Sequence, residues 1–87
     1  MKAYKKTVTD TVVELVPRDD LNRPVYLQIE ANRTVYVGGS NVTAADGFPI
    51  VKHTAPLHFE IPVRDGLWAI CATGETDVVR IMTIDAD

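Results

Sequence analysis

The 87-residue chain is poor in the residues that usually carry chemistry: one cysteine, two histidines, one tryptophan and an aromatic content of 7%. A single thiol, Cys71, permits no intrachain disulfide, and its setting in "LWAICA" reads as a small buried hydrophobe rather than a reactive group. No apolar run approaches the roughly 20 residues that a helical membrane span needs, so a membrane is not an expected partner. The opening "MKAYKKTVTDT" has positive charges but no apolar stretch behind them, which argues against a secretory signal and for synthesis in the cytoplasm. An excess of basic residues is missing too. The net charge is −3, split as +1 over residues 1–52 and −4 over residues 53–87. Nucleic-acid binding needs clustered cations to displace counterions from phosphates, so nucleic acid is not an expected partner either. Lys2, Lys5 and Lys6 form the one basic cluster.

Helical periodicity is also absent. No window of eleven or more residues keeps apolar side chains at i, i+3, i+4 and i+7, whereas short alternating runs bounded by Pro, Gly, Asp and Asn recur along the whole chain. The sequence predicts strands over residues 4–9, 11–16, 24–30, 34–38, 48–51, 57–62, 67–73 and 77–84. The breaks have local causes: "PRDDLNRP" holds two prolines and three Asx residues, "EANRT" is a polar turn, and "RDG" and "TGET" supply glycine for φ > 0. Eight short strands at this spacing predict an all-β fold, a single compact sandwich or barrel with jelly-roll-like topology. Residues 1–10 are read as an N-terminal arm and residues 11–87 as one β domain.

Strands three and six alternate cleanly. Val25, Leu27 and Ile29 oppose Tyr26, Gln28 and Glu30, while Leu57, Phe59 and Ile61 oppose His58 and Glu60, so each strand has one wet face. Strands seven and eight are apolar on both faces, with Trp68 and Ile70 opposite Leu67, Ala69 and Cys71, and Val78, Met82 and Ile84 opposite Val79 and Ile81. A chain this short buries only about 60–65% of its unfolded surface, leaving little interior to cover a second apolar face. Self-association is therefore expected, with Trp68, Ile70, Val78, Met82 and Ile84 as the candidate oligomer interface.

Candidate reactive groups do not assemble into a motif. "VYVGGSNVTAADGFPI", Val35 to Ile50, concentrates three of the five glycines, but a phosphate loop needs them between a strand and a helix N-terminus, and the segment after Gly38-Gly39 is extended. The glycines read as corners: Gly38-Gly39 ends a strand, Ser40 to Ala45 cross an end of the sandwich, and Asp46-Gly47 redirects the chain. His53, His58 and Glu60 could in principle hold a divalent cation, yet His53 sits five residues away in a polar connection. Asp19-Asp20 beside Arg18 and Arg23 reads as turn capping and solvated charge, and no Ser or Cys has a recognisable base. No catalytic residue, metal site or cofactor is expected, and the chain is read as a non-enzyme.

The block "PVYLQIEANRTVYVGGSNVTAADGFPIVKHTAPLHFEIPVRDGLWAICATGETDVVRIMTI" resembles a pattern of small structural proteins in the virions of tailed bacteriophages. The shared features are a "VYLQ" strand, a polar turn, "VYVGGSxVTxxxGxPI", a "PLxFEI" strand and "LWAIxAxGxxDV". It covers residues 24–84, and Val35–Thr43 and Leu67–Gly74 are its most distinctive parts. The resemblance implies a capsid decoration or minor capsid protein on the virion exterior, made in the host cytoplasm, that binds the major capsid protein and itself, as a trimer or another homo-oligomer. Lys2, Tyr4, Lys5 and Lys6 are the candidate capsid-docking residues of the arm. The alternative is a tail- or fibre-associated module that binds a receptor glycan, with Tyr26, Tyr36 and Trp68 stacking on a sugar.

Overall fold

The structure, a computed structural model, describes residues 2–20, 22–52 and 57–83. Its strands are β1 (Lys2–Val8), β2 (Val13–Val16), β3 (Arg23–Ile29), β4 (Val35–Gly38), β5 (Phe48–Ile50), β6 (Leu57–Ile61), β7 (Leu67–Cys71) and β8 (Asp77–Thr83). Among the described residues there is no helix. Two four-stranded sheets form: sheet A in the order β1-β8-β3-β6 and sheet B in the order β2-β7-β4-β5. Every neighbouring pair is antiparallel. The pairs β1·β8, β2·β7, β3·β6 and β4·β5 nest inside one another like one long hairpin. Rolling that hairpin so that β8 meets β3 and β7 meets β4 gives the jelly-roll arrangement, so the expected all-β sandwich is the fold observed.

Period-two alternation builds the core. Along β3, Arg23, Val25, Leu27 and Ile29 are buried while Pro24, Tyr26 and Gln28 are half-exposed; β7 and β8 alternate in the same way. The inward side chains of both sheets meet in one cluster, including Val8, Leu15, Leu27, Ile29, Val35, Val79 and Ile81. Each large apolar side chain removed from water contributes about 1.5–3 kcal/mol before entropy is subtracted.

Polar groups at the two ends of the sandwich tie its loops together. Buried Asp77 accepts hydrogen bonds from the backbone N–H groups of Ala31 (2.9 Å), Arg33 (3.2 Å) and Val78 (2.7 Å), pinning the β3–β4 connection to the start of β8. The Asp10 carboxylate accepts from Gly74 N–H at 3.1 Å, joining the β1–β2 and β7–β8 turns. Arg23 departs from the expected solvated charge. It is 3% exposed, and its guanidinium donates to the carbonyl oxygens of Pro17 and Asp65, clamping the β2–β3 loop to the β6–β7 loop. Asn22 reinforces that clamp by accepting from Val63 N–H at 3.0 Å.

Residues 2–8 do not form a separate arm. β1 pairs with β8 along its whole length, Val8 is fully buried, and the Tyr4 hydroxyl donates to Leu15 O at 2.6 Å across to β2. Two inward anchors four residues apart hold this strand against the core, and its lysines project from a sheet edge. The "GGS" corner also differs from expectation. β4 and β5 are neighbours in sheet B, so residues 39–47 return the chain within one sheet instead of crossing the sandwich. Val42 N–H donates to Gly39 O (3.0 Å) and Gly47 N–H to Thr43 O (2.8 Å), folding the loop on itself over buried Val42. Gly47 is required by close approach: a Cβ there would sit 2.6 Å from Tyr36 Cβ and 2.8 Å from Thr43 O.

Candidate functional site

The outward faces of the two sheets carry most of the candidate residues, and the structure separates those expected to act together. Trp68 and Ile70 project from β7 onto the outside of sheet B, whereas Val78 and Met82 project from β8 onto the outside of sheet A. Ile84 lies outside the described residues. The expected oligomer interface is thus split across opposite faces of the sandwich, because β7 and β8 are central strands of different sheets.

On sheet B, the β4·β7 register sets Tyr36 opposite Ile70 and Gly38 opposite Trp68, and the β2·β7 register sets Glu14 opposite Trp68. The indole lies against Gly66, where a Cβ would sit 2.9 Å from Trp68 Cζ3. The Arg18 guanidinium stacks over the indole from the β2–β3 loop, with its central carbon 5.1 Å from the ring centroid. This cation–π contact helps explain why Trp68 is half-buried without a partner subunit.

Sheet A presents a more polar face. Register Tyr26↔His58 stacks the two rings, with centroids 4.6 Å apart and planes at 24°. Beside them a shallow depression of about 320 Å³ is lined by Ala3, Lys5, Tyr26, Gln28, Arg80 and Met82, among others. Arg80 Nε donates to Glu30 Oε2 in an exposed ion pair, a contact worth no more than about 1 kcal/mol. Met82 is 41% exposed.

The candidate capsid-docking residues of β1 divide as well. Tyr4 is half-buried and bonded to Leu15 O, and burial raises its phenol above the ordinary value, partly offset by the charge of Arg23. Lys5 stands opposite Arg80 on the outside of sheet A, and Lys2 Nζ lies 5.9 Å from the centroid of the Tyr4 ring. Lys6 is exposed at the edge.

Cys71 is buried, and its thiol donates to Val8 O at 3.5 Å. Burial, and then the negative charge of Asp77, push the thiol up and away from the thiolate that a nucleophile requires. His58 is occupied by its stack on Tyr26, and His53 lies outside the described residues. Among the described residues, no three His, Cys, Asp or Glu side chains converge as metal ligands. Nor does any buried side-chain nitrogen or oxygen lack a hydrogen-bond partner there. Among the described residues the arrangement packs, stacks and exchanges hydrogen bonds.

Sequence reasoning missed two pairings, Tyr26 with His58 and Arg18 with Trp68. The first arises from the β3·β6 register between residues far apart in the chain; the wet-face alternation of both strands, combined with jelly-roll pairing, was the signal that could have found it. The second joins a loop to a strand and left no periodic trace. No family model, curated protein or solved structure matches this chain.

Proposed function

We propose that the protein is a non-enzymatic structural component of a bacteriophage virion, a decoration or minor capsid protein that self-associates, binds the major capsid protein from outside and stabilises the head. The observation that carries this reading is how the chain uses its side chains. Charge inside the sandwich, at Arg23 and Asp77, is consumed in holding loops, while Trp68, Ile70, Tyr36 and Met82 are spent on outward faces. Partly exposed aromatic and long apolar side chains on a rigid sheet are the usual material of a protein interface. The phage pattern over residues 24–84 supports the same reading, and the jelly roll is an architecture that capsid proteins share with lectins and cupins.

The lysines of β1 bear on this reading as a fixed basic edge. Held on a strand, Lys5 and Lys6 lose little backbone entropy on docking against acidic groups of a capsid lattice, though each exposed pair would contribute at most about 1 kcal/mol. The test is binding of the purified protein to heads that lack it, followed by localisation in the particle by electron microscopy. Density on the outer capsid surface and a raised disruption temperature of the heads are expected. Partition with tails and never with heads would refute the decoration reading.

A second reading, a tail- or fibre-associated glycan-binding module, is favoured by the Tyr26–His58 stack beside a mainly apolar depression whose lining includes Lys5, Gln28 and Arg80. Aromatic faces flanked by Gln28, Arg80 and Lys5 suit a sugar ring with hydroxyl groups to satisfy. A glycan array with signal lost in Tyr26→Ala would support it; no glycan bound at millimolar concentration would remove it.

A further inference from the structure

The sandwich ends in four edge strands, and three of them carry devices that discourage pairing with another chain. β1 has Lys2, Lys5 and Lys6. β2 is four residues long with a register shift between Glu14 and Val16, and β5 is three residues long with Pro49 in its middle. β6 has none of these: it runs in unbroken register against β3 from Leu57 to Ile61, without lysine or proline.

The direction of its backbone groups follows from one hydrogen bond. Glu30 N–H donates to Val78 O on β8. Backbone groups alternate sides along a strand, so the even-numbered residues of β3 bond toward β8 and the odd-numbered ones toward β6. Through the pairs Val25↔Phe59 and Leu27↔Leu57, residues 57, 59 and 61 of β6 bond to β3. The N–H and C=O groups of His58 and Glu60 therefore point off the edge of the sheet.

We infer that β6 is a self-association edge on which two copies pair β6 against β6, antiparallel, about a two-fold axis at Phe59. That register sets His58 opposite Glu60 of the second copy, and Glu60 opposite His58 of the second copy. Each pair exchanges its N–H···O bonds and places unlike side chains face to face. The sequence selects this register. Moving the axis to His58 or Leu57 leaves at most one hydrogen-bonded pair within Leu57–Ile61, and moving it to Glu60 or Ile61 sets an edge-facing residue against Pro62, which has no N–H to give. An axis at Glu60 also opposes two carboxylates. The interface is isologous, as a closed dimer requires, and it joins the two A sheets into one continuous sheet.

This inference rests on the self-association in the proposed function and names its surface. The experiment is sedimentation velocity of the full chain across a concentration series, for the native protein, His58→Glu and the exchange His58→Glu/Glu60→His. His58→Glu opposes carboxylates at both pairs and is expected to weaken association by about tenfold or more, while the exchange variant rebuilds unlike pairs in the same register and restores it. Amide exchange supplies the readout that misfolding cannot imitate: the N–H groups of His58 and Glu60 should slow as the native protein is concentrated. A native protein that stays monomeric throughout would overturn both this inference and the self-association on which it rests. Association unchanged in His58→Glu, not restored in the exchange variant, or leaving those two amides unprotected would overturn the β6 edge alone and assign association to another surface.

Discussion

Replacing Asp77 by alanine should remove a large part of the stability of this domain. The carboxylate is 2% exposed and accepts three backbone N–H bonds, at 2.9 Å from Ala31, 3.2 Å from Arg33 and 2.7 Å from Val78. A hydrogen bond to a charged group contributes about 1.5–3 kcal/mol, and a buried donor left without an acceptor costs about 1–3 kcal/mol. Bonds sharing one acceptor are not additive, and at the turn some donors would regain water. The net loss works out at about 2–4 kcal/mol, set against a total of roughly 4–13 kcal/mol for a domain of this length. With a urea m-value of about 1–3 kcal/mol/M, the unfolding midpoint should fall by on the order of 1–2 M with m unchanged. Urea unfolding followed by far-UV circular dichroism, at one fixed protein concentration so that association contributes equally, measures this directly. Amide exchange should accelerate at Ala31 and Arg33 beyond the global change. A stability within about 0.5 kcal/mol of the native protein, the scatter of ordinary surface substitutions, would refute the pinning role.

Three further outcomes can be checked. Tyr4→Phe removes the 2.6 Å bond to Leu15 O and should cost about 0.5–1.5 kcal/mol at neutral pH. Because burial raises the Tyr4 phenol above its ordinary value of 10.0, the folded state keeps that proton longer than the unfolded chain does. The contribution is complete below pH 10 and is lost as pH rises through the raised value, an alkaline loss that thermal melts should find reduced in the Phe variant. Cys71 should resist an aromatic disulfide reagent at pH 8 in the folded protein and react promptly in denaturant; prompt reaction in the native state would contradict its burial. Gly47→Ala should cost about 1–3 kcal/mol through overlap with Tyr36 and Thr43, whereas Gly74→Ala, at φ 80° with nothing within 4 Å, should cost only about 1 kcal/mol of backbone strain; equal costs by denaturant unfolding would refute the close-approach argument.

Strands β3, β4, β7 and β8 were legible because each one states its own burial. Val25, Leu27 and Ile29 alternate with Tyr26, Gln28 and Glu30, and that period requires no partner to be recognised. The jelly roll followed from the number and spacing of such runs, but register did not, since no local pattern says that Tyr26 meets His58 or that Glu14 meets Trp68. Arg23 was misread for the same reason. Its carbonyl partners lie on two loops, one of them 42 residues away, so in the sequence it looks like one more charge beside "RDD". The candidate interface shows the limit most clearly. Trp68, Ile70, Val78 and Met82 share a signature, apolar at an outward position, yet the roll places β7 and β8 in different sheets. One surface in the sequence became two in the fold.

That division has a consequence for docking. A single two-fold contact cannot cover the outsides of both sheets, so association through either face would leave the other face of each subunit available. Edge pairing through β6 covers neither face. A two-fold axis relating antiparallel neighbours within a sheet stands perpendicular to it, so both A faces of such a dimer look one way and both B faces the other. Each side of the dimer would then present two copies of the same patch, with Trp68, Ile70 and Tyr36 doubled on one side and Tyr26 and Met82 doubled on the other. A patch too weak to hold a partner alone gains from such doubling, because the second contact forms at an effective concentration in the millimolar range when the target repeats with matching spacing. A capsid lattice is a repeating target of that kind. A lattice-binding dimer should therefore lose far more affinity from His58→Glu, which removes the doubling, than one weakened patch would lose alone, and a binding curve on heads that is unchanged in the dissociated variant would show that docking uses one subunit at a time.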